Sequence, residues 1–347
     1  MEKILTIIIP TYNMEEYLSR CIDSLVKSNK VADLEVVIVN DGSKDRSLEI
    51  AKSYQSSYPG SIIIIDKPNG NYGSTINAAL PIITGKYVKI LDADDWFDTD
   101  ALNLFIERLS LTECDLILTP YTRDYVGEKK QIVTIGGLQE AKTYDFESFM
   151  SSAKIKNGLR MHSVAYKREV VTDNNYSQTE GISYTDNEWI FYPLFHVKRA
   201  EWVDLNLYQH FIGRSEQTTD PKVRVKNFWQ ELAITTKMVR RYDENASQAP
   251  QEHQRIMLNL LVERVQSNYT FVLLHGYTEV NVEQLRQLKA ELTQHPRILS
   301  LAENHTIGSP LRIGTLSYWN KTERRYPLCV RLYLKVRARI GTFLRKS

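Results

Sequence analysis

The sequence predicts an α/β protein built on a parallel sheet, and two features of its pattern support this. Four apolar runs of strand length, rich in Ile and Val, occur at residues 4–9, 35–39, 61–65 and 87–91. The runs barely alternate between apolar and polar residues, which is typical of strands covered on both faces. Segments with helical spacing separate them, as expected for βαβ units.

The segments between the runs differ in how clearly their pattern indicates a helix. Residues 15–27 give the clearest helical pattern, with apolar side chains on one face, and residues 45–54 and 75–83 give weaker ones. A fifth apolar run, residues 116–118, follows a helix predicted at 100–109. The predicted sheet therefore continues beyond its fourth strand.

The pattern changes after residue 120. Short β-like pieces at 131–135 and 202–207 replace the regular alternation. From Pro221 onward the spacing is helical, with long segments predicted at 222–241, 252–274 and 281–292. We therefore predict two domains, an α/β domain at residues 1–220 and a helical domain at residues 221–347.

Composition excludes several classes of protein. The chain has 347 residues, 42% of them hydrophobic, and its 44 Lys and Arg nearly balance its 42 Asp and Glu. This balance argues against nucleic acid as a partner. Cys21, Cys114 and Cys329 are far apart and form no paired motif, so we expect neither a disulfide framework nor a zinc site, and a cytoplasmic location. No run approaches 18 uncharged apolar residues, so no membrane span is expected.

Three carboxylates, Asp92, Asp94 and Asp95, follow the fourth apolar run within four positions. Carboxylates this close repel one another, so the cluster indicates a divalent cation or a phosphate-linked function. Capping of the next helix by Asp98 or Asp100 would not account for the whole cluster. Polar residues also follow the other runs, and ligands of open parallel sheets lie beyond the carboxyl ends of the strands.

Four segments in order resemble the signatures of family 2 glycosyltransferases with the GT-A fold. They are TIIIPTYNMEEYL at 6–18, VIVNDGSKDRS at 37–47, NYGSTINAAL at 71–80 and KILDADDWF at 89–97. The resemblance implies a Rossmann-like, mostly parallel sheet flanked by helices. It also implies inverting transfer of a hexose or N-acetylhexosamine, with Mn2+ or Mg2+, from a UDP-sugar. The acceptor would be a hydroxyl of a lipid-linked or protein-linked glycan in bacterial cell-surface synthesis.

The resemblance assigns roles by position. Asp41 would accept a hydrogen bond from the uracil ring N–H. Asp92 would contact the ribose and, with Asp94 and Asp95, the metal. Pro10, Thr11 and Tyr12 would line the base pocket. The remaining predicted donor-binding residues are Gly73, Asn77 and Arg214.

A catalytic base is also needed, because the acceptor hydroxyl must lose a proton as it attacks. The resemblance assigns this role to Asp186, with Glu188 as the fallback. A structural interpretation competes, because Thr185 and Glu188 have the spacing of a capping box and Asp186 would then only favour a helix N-terminus. Both interpretations can hold together.

Residues 208–219, YQHFIGRSEQTT, resemble a segment that some bacterial members carry after the core. Arg214 would reach the diphosphate, and Gln217 or Thr218 would close over the donor. The alternative is a surface loop. We expect His162 and His210 to be packed or surface residues rather than ligands.

Two departures from the family pattern leave a second function open. Ile76 replaces a frequent arginine of the third motif, and Asn40 replaces a frequent aspartate of the second. The alternative is a catalytically weak or inactive GT-A scaffold subunit.

A sugar nucleotidyltransferase is disfavoured because no Gly-rich basic loop follows the first strand. A phosphatase of the HAD type is disfavoured because no aspartate pair is found there.

The segment 326–346 predicts an amphipathic helix with a basic side. Its apolar face would contain Cys329, Leu332 and Tyr333, and Arg331 and Lys335 would share another face. Such a helix could lie on anionic lipid at the inner face of the membrane. It could equally cover the main domain or form a homo-oligomer. The sequence does not favour one of these.

Overall fold

The computed structural model describes residues 3–155, 159–214, 217, 220–306 and 314–333. It divides into two compact units, Met1–Gln217 and Thr218–Ser347. The strands of the first unit are β1 (Leu5–Thr11), β2 (Leu34–Asn40), β3 (Ile62–Asp66), β4 (Tyr87–Ile90), β5 (Trp96–Phe97), β6 (Leu116–Leu118), β7 (Tyr121–Tyr125), β8 (Gln131–Val133), β9 (Thr143–Asp145), β10 (Val164–Lys167), β11 (Arg199–Trp202) and β12 (Tyr208–Ile212). Its helices are α1 (Leu18–Val26), α2 (Ser47–Ser57), α3 (Asn71–Ala79), α4 (Thr99–Leu111), α5 (Phe146–Ser152), α6 (Arg168–Thr172) and α7 (Asp186–Trp189).

An eight-stranded sheet forms the core of this unit, in the order β3-β2-β1-β4-β10-β6-β11-β9. The four predicted strands are its parallel half, with β1 between β2 and β4 and β3 beside β2. Every residue of β2 is buried, as the lack of alternation predicts for a strand covered on both faces. The predicted α/β fold class is confirmed.

A second sheet has the order β5-β12-β7-β8 and extends the region that follows β4. Here the predicted strand at 202–207 is wrong. The chain instead leaves the main sheet after Trp202 and enters the second sheet at Tyr208. Short-range backbone bonds from Leu205 to Val203 and from Leu207 to Leu205 make the crossing. Val203 and Leu207 are buried because the segment crosses between the two sheets, and these buried apolar residues resemble a strand pattern in the sequence.

The buried carboxylate of Glu35 is hydrogen-bonded to neighbouring segments at the amino-terminal ends of the parallel strands. Glu35 of β2 accepts hydrogen bonds from the Thr6 hydroxyl at 2.6 Å, and from the backbone N–H and hydroxyl of Thr84 at 2.8 and 2.6 Å. Glu35 and Thr6 are buried. Three donors from two further segments therefore converge on one side chain, opposite the end of the sheet where ligands are expected.

The second unit is helical. Its helices are α8 (Pro221–Arg240), α9 (Tyr242–Ala246), α10 (Gln251–Leu274), α11 (Glu279–Gln294), α12 (Pro296–Asn304) and α13 (Thr315–Thr322), and residues 328–333 are also helical. The three long predicted helices correspond to α8, α10 and α11. Much of the predicted amphipathic segment, residues 334–347, lies outside the described residues. Within the described part of the chain, no helix has the length and apolar character needed to span a bilayer.

Replacing Glu35 tests the importance of this buried contact. We expect Glu35→Ala to lower the free energy of unfolding by about 3 kcal/mol, because it removes three hydrogen bonds and leaves the buried Thr6 hydroxyl without its acceptor. Urea denaturation of the full chain measures the change. Glu49→Ala is the matched control, because that side chain is exposed on α2 and should have no measurable effect. Equal stability of the two variants would contradict the expectation.

Candidate active site

The carboxyl ends of β1, β2 and β4 bring the predicted ligand-binding segments to one edge of the sheet. Asp41, directly after β2, donates its backbone N–H to the Thr11 carbonyl at 2.8 Å. Of the three residues predicted to line the base pocket, Pro10 is half-buried and Thr11 is buried, with its hydroxyl bonded to the Ile9 carbonyl. Tyr12 is 42% exposed and presents its ring to solvent.

The two oxygens of the Asp41 carboxylate have different surroundings. Oδ1 accepts from the Lys67 ammonium at 2.8 Å and from the Gly70 backbone N–H at 2.9 Å. Among the described residues, none donates a hydrogen bond to Oδ2. Asp41 is therefore fixed by one oxygen and has the other available to accept from a ligand N–H. Lys67 is a partner that the motif comparison did not identify.

The three clustered aspartates approach closely, since one oxygen of each lies within 4.8 Å of the others. Asp92 is partly exposed, whereas Asp94 and Asp95 are buried. Burial and the neighbouring charge of Asp94 raise the pKa of Asp92 to about 7. The pKa of Asp95 is raised well above its usual value. Burial has the largest effect, and the charges of Asp94 and then Asp92 add to it. These directions are what carboxylate crowding predicts without a cation.

Each aspartate is bonded by a different part of the chain. Asp92 accepts from the Tyr72 hydroxyl at 2.8 Å. Asp94 Oδ2 accepts from Arg214 Nε at 2.5 Å and more weakly from the Gln217 amide at 3.3 Å. The structure thus places Arg214 and Gln217 of the predicted segment 208–219 at the cluster, whereas Thr218 lies outside the described residues. Arg214 contacts a carboxylate where the sequence predicts a diphosphate contact.

Asp95 has two bonds that orient the second sheet. It accepts from the Tyr208 hydroxyl at 2.6 Å and from the Phe211 backbone N–H at 2.7 Å, one on each oxygen. Tyr208 also accepts the backbone N–H of Asp92 at 3.1 Å. These bonds fix β12 beside the loop and so place Arg214. Asp95 is therefore a positioning residue, and a role as metal ligand would be additional.

Hard oxygen donors suit Mn2+ or Mg2+, so the cluster fits the metal that the sequence predicts. Asp95 also forms a second group with His162 and His210, whose candidate ligand atoms lie within 4.8 Å of one another. The two imidazoles stack with centroids 4.2 Å apart. Burial lowers the pKa of both, to about 4 for His210, so both are neutral near pH 7. The sequence predicts packed or surface histidines, but not their pairing beside the cluster.

Arg20 of α1 is a site residue that the sequence analysis missed. Its guanidinium donates to the Asp94 backbone carbonyl at 2.7 Å and lies over the rings of Trp96 and Phe211, at 4.0 and 4.7 Å from their centroids. These contacts fix the backbone that carries Asp94. The only signal in the sequence is a cation two residues after the first motif.

The loop 178–180 contacts Gly73 and Asn77, two residues that the sequence analysis assigns to donor binding. A Cβ on Gly73 would lie 2.1 Å from the Thr179 carbonyl oxygen. The loop therefore leaves no room for a side chain at position 73, and glycine is required there. The Asn77 amide donates to the Gln178 carbonyl at 3.0 Å and accepts its backbone N–H at 2.8 Å. The contacts of Gly73 and Asn77 that the structure shows are with the chain itself, and their assignment to donor binding stays a prediction.

Glu188 holds the same loop from the other side. It is fully buried and accepts from the backbone N–H and hydroxyl of Thr179 at 2.6 and 3.0 Å. The predicted capping box is wrong, because Thr185 makes no side-chain cap bond at the start of α7. Asp186 is the first residue of α7 and is only half-buried, which favours it over Glu188 as the base.

Tyr72 lies near the carboxylates of Asp92 and Asp186. Burial raises the pKa of its hydroxyl well above the usual value, and the charges of Asp92 and then Asp186 raise it further. Asp186 also contributes to the raised pKa of Asp92. The structure therefore brings Asp186, Asp92 and Tyr72 into one electrostatic environment.

Residues 6–173 match the family model described as "Glycosyl transferase family 2". These residues form a family 2 glycosyltransferase domain. The uncharacterised glycosyltransferase YibD of Escherichia coli is 25% identical over 271 residues, covering 74% of this chain and 77% of YibD. The chondroitin synthase of Pasteurella multocida is 40% identical over 105 residues, covering 30% of this chain and only 11% of that enzyme. The protein is a transferase.

Solved glycosyltransferase structures share the fold. Residues 1–349 of S. aureus TarS in complex with UDP align at a TM-score of 0.67 and 18% identity, covering 97% of this chain and 92% of that one. A mannosyltransferase of Pyrobaculum calidifontis with GDP-Man and Mn2+ aligns at 0.50 and 15% identity, covering 93% and 88%. The predicted GT-A fold with a helical extension is confirmed.

The departure at Ile76 has a structural explanation in this glycosyltransferase. Ile76 is fully buried in α3, so this position faces the core. Because this position is buried, the isoleucine does not take the place of a solvent-exposed cation in the site. Asn40, the other departure, donates to Asp66 at 2.7 Å and joins the ends of β2 and β3.

Arg214 provides a test of the cluster in this glycosyltransferase. We expect Arg214→Ala to strengthen Mn2+ binding in the absence of nucleotide by about ten-fold, because the guanidinium competes for the Asp94 oxygen. Titration of free Mn2+ by electron paramagnetic resonance measures this. Arg46→Ala makes the same charge change beside exposed Glu49 and should leave binding unaltered. Unchanged or weaker Mn2+ binding by Arg214→Ala would contradict the competition.

Proposed function

We propose that the protein is a metal-dependent, inverting glycosyltransferase. It moves a hexose or N-acetylhexosamine from a UDP-sugar to a hydroxyl of a lipid-linked or protein-linked glycan. The observation that carries the proposal is the proximity of Asp92 and Asp186 to Tyr72, with Asp94 beside Asp92, on the sheet edge that also bears Asp41. The arrangement combines a metal-binding carboxylate cluster with a separate, half-buried carboxylate.

The comparisons support the donor class and the product class. TarS has been solved with UDP, and the Pyrobaculum enzyme with GDP-Man and Mn2+. Asp41 Oδ2 could accept a ring N–H from uracil or from guanine, so the preference for UDP is part of the proposal. The likeness to chondroitin synthase supports synthesis of a cell-surface polysaccharide or glycoprotein. We propose a cytoplasmic location, consistent with three unpaired cysteines.

The mechanism follows from the charges. Breaking the glycosyl–phosphate bond places negative charge on the departing diphosphate. Mn2+ or Mg2+, held by Asp94 and Asp92, would stabilise that charge as a Lewis acid. Arg214 exchanges its bond with Asp94 for one with the diphosphate, which neutralises further charge.

Asp186 removes the proton from the attacking hydroxyl at one of its carboxylate oxygens. Two features hold Asp186 in place. It begins α7, and Glu188 ties the same turn to Thr179. Direct attack by the acceptor on the face opposite the leaving diphosphate inverts the anomeric carbon. Tyr72 donates to Asp92 and keeps that carboxylate from turning toward Asp186.

Two substitutions separate the metal role from the base role. We expect Asp94→Asn to reduce both UDP release and Mn2+ binding. Asp186→Asn should lower transfer by about 10^2- to 10^4-fold while leaving Mn2+ and UDP-sugar binding intact. Metal-dependent UDP release from a panel of UDP-sugars, with calorimetry for binding, measures both effects. Asp100→Asn, an exposed carboxylate of α4, is the control.

Two outcomes would contradict the proposal in different ways. Full transfer by Asp186→Asn would remove the base assignment alone. Binding of UDP-sugars by the native protein, without turnover on any acceptor tested, would instead favour the scaffold alternative.

Asp41 tests nucleotide recognition. We expect Asp41→Asn to weaken UDP binding by about ten-fold, because the amide offers one acceptor oxygen where the carboxylate offers two. Calorimetric titration with UDP and GDP measures the loss for each base. Asp66→Asn is a control on the neighbouring strand. Tighter binding of GDP than of UDP by the native protein would overturn the choice of base.

A further inference from the structure

Three stacked rings, those of Tyr121, His162 and His210, form a wall beside the carboxylate cluster. His162 stacks on Tyr121 with centroids 5.0 Å apart and on His210 with centroids 4.2 Å apart. Met161, in the same short turn as His162, has its sulfur 3.3 Å from the Tyr72 hydroxyl. That hydroxyl bonds the cluster and feels the charge of the proposed base. The wall therefore adjoins the region where an acceptor must bind.

Arg123 of β7 extends this wall. It is in register with His210 of β12, and paired residues of neighbouring strands have their side chains on the same face. Its guanidinium donates to the Tyr121 hydroxyl at 3.2 Å. The next residue, Asp124, faces the opposite side of the sheet by alternation and pairs with Lys130 at 2.9 Å. The carboxylate nearest in the sequence is thus engaged elsewhere.

Arg160 approaches the same wall from the turn that carries His162. It directly precedes that turn, and it is exposed. Burial has the largest effect in lowering the pKa of His210, and the charges of Arg123 and Arg160 lower it further against the opposite effect of Asp94. Both guanidiniums therefore lie close enough to act on the same imidazole.

The charges of Arg123 and Arg160 are not neutralised by the described part of the chain. Among the residues that the structure describes, no Asp or Glu forms an ion pair with either of them. By contrast, Arg108 and Arg168 of the same unit each pair with a glutamate. The fork of a guanidinium matches the oxygens of a carboxylate or a phosphate. Two such groups at one wall are suited to an anion from outside the chain.

We propose that Arg123 and Arg160 form an anion site that binds an acidic group, a carboxylate or a phosphate, of the acceptor glycan. This acceptor class rests on the proposed function, and it specifies an acceptor sugar that carries negative charge. The donor diphosphate already has the metal and Arg214 as partners in the proposed mechanism. An acidic acceptor would be repelled by the carboxylate cluster, and the two guanidiniums offset that repulsion.

Ligand-observed NMR titration of the full chain tests the anion site. The probes are glucose 6-phosphate, glucuronate and glucose, which share a sugar ring and differ in charge. With and without saturating UDP and Mn2+, we expect the acidic sugars to bind about ten-fold or more tightly than glucose, because hydrogen bonds to charged groups are the stronger ones. The acid that binds more tightly identifies the acceptor group as phosphate or carboxylate.

Substitutions assign the charge preference to the two arginines. Arg123→Gln and Arg160→Gln should each weaken binding of the acidic sugars by about ten-fold and leave glucose and UDP binding unchanged. Arg199→Gln is the matched control, because Arg199 is exposed at the start of β11 and donates to the backbone carbonyl of Glu113. Circular dichroism establishes that each variant is folded.

Three results would overturn the anion site. These are equal binding of charged and neutral sugars by the native protein, equal losses in Arg199→Gln, and displacement of the acidic sugars by UDP with Mn2+. The last result would assign the arginines to the donor diphosphate. Failure of the proposed function gives a different result. Charge-selective binding that depends on both arginines, without transfer to any acidic acceptor, would support the anion site and contradict the proposed transfer.

Discussion

Repulsion among three carboxylates within four residues is the constraint on which the site depends. The chain meets it with donors from separate elements. Tyr72 of α3 bonds Asp92, Arg214 from beyond β12 bonds Asp94, and Tyr208 of β12 bonds Asp95. Because each donor comes from a different part of the first unit, the cluster also ties α3 and the second sheet to the end of β4. Under the proposed function, a cation that bound the Asp94 oxygen would compete with Arg214 for it.

The parallel half of the sheet and the carboxylate cluster could be predicted from the sequence because both are local patterns. Apolar runs without alternation indicate buried strands, and the aspartates are adjacent in the chain. Of the shorter strands, β6 and β8 were also indicated, by the apolar run at 116–118 and the β-like piece at 131–135. The sequence analysis did not predict β9 or β10, because β9 has only three residues, too few for a period, and β10 has only four.

The contacts of the site were harder to predict than its acidic residues. The bonds of Arg20 to Asp94 and of Arg214 to Asp94 join residues 74 and 120 positions apart. Such distances carry no periodic signal. Gly73 and Asn77 show the converse case, because the motif drew attention to both positions but not to their contacts with the loop 178–180. The stacking of His162 on His210 likewise joins segments that are distant in the sequence, the turn before β10 and strand β12.

The close approach of Gly73 to Thr179 links two motifs that are far apart in the sequence. The helix that follows the third strand and the loop that leads to Asp186 are in backbone contact at this point, with no room for even a methyl group. A larger residue at position 73 would therefore displace the loop that leads to Asp186, the proposed base. Under the proposed function, such a change would affect removal of the acceptor's proton before it affected nucleotide binding.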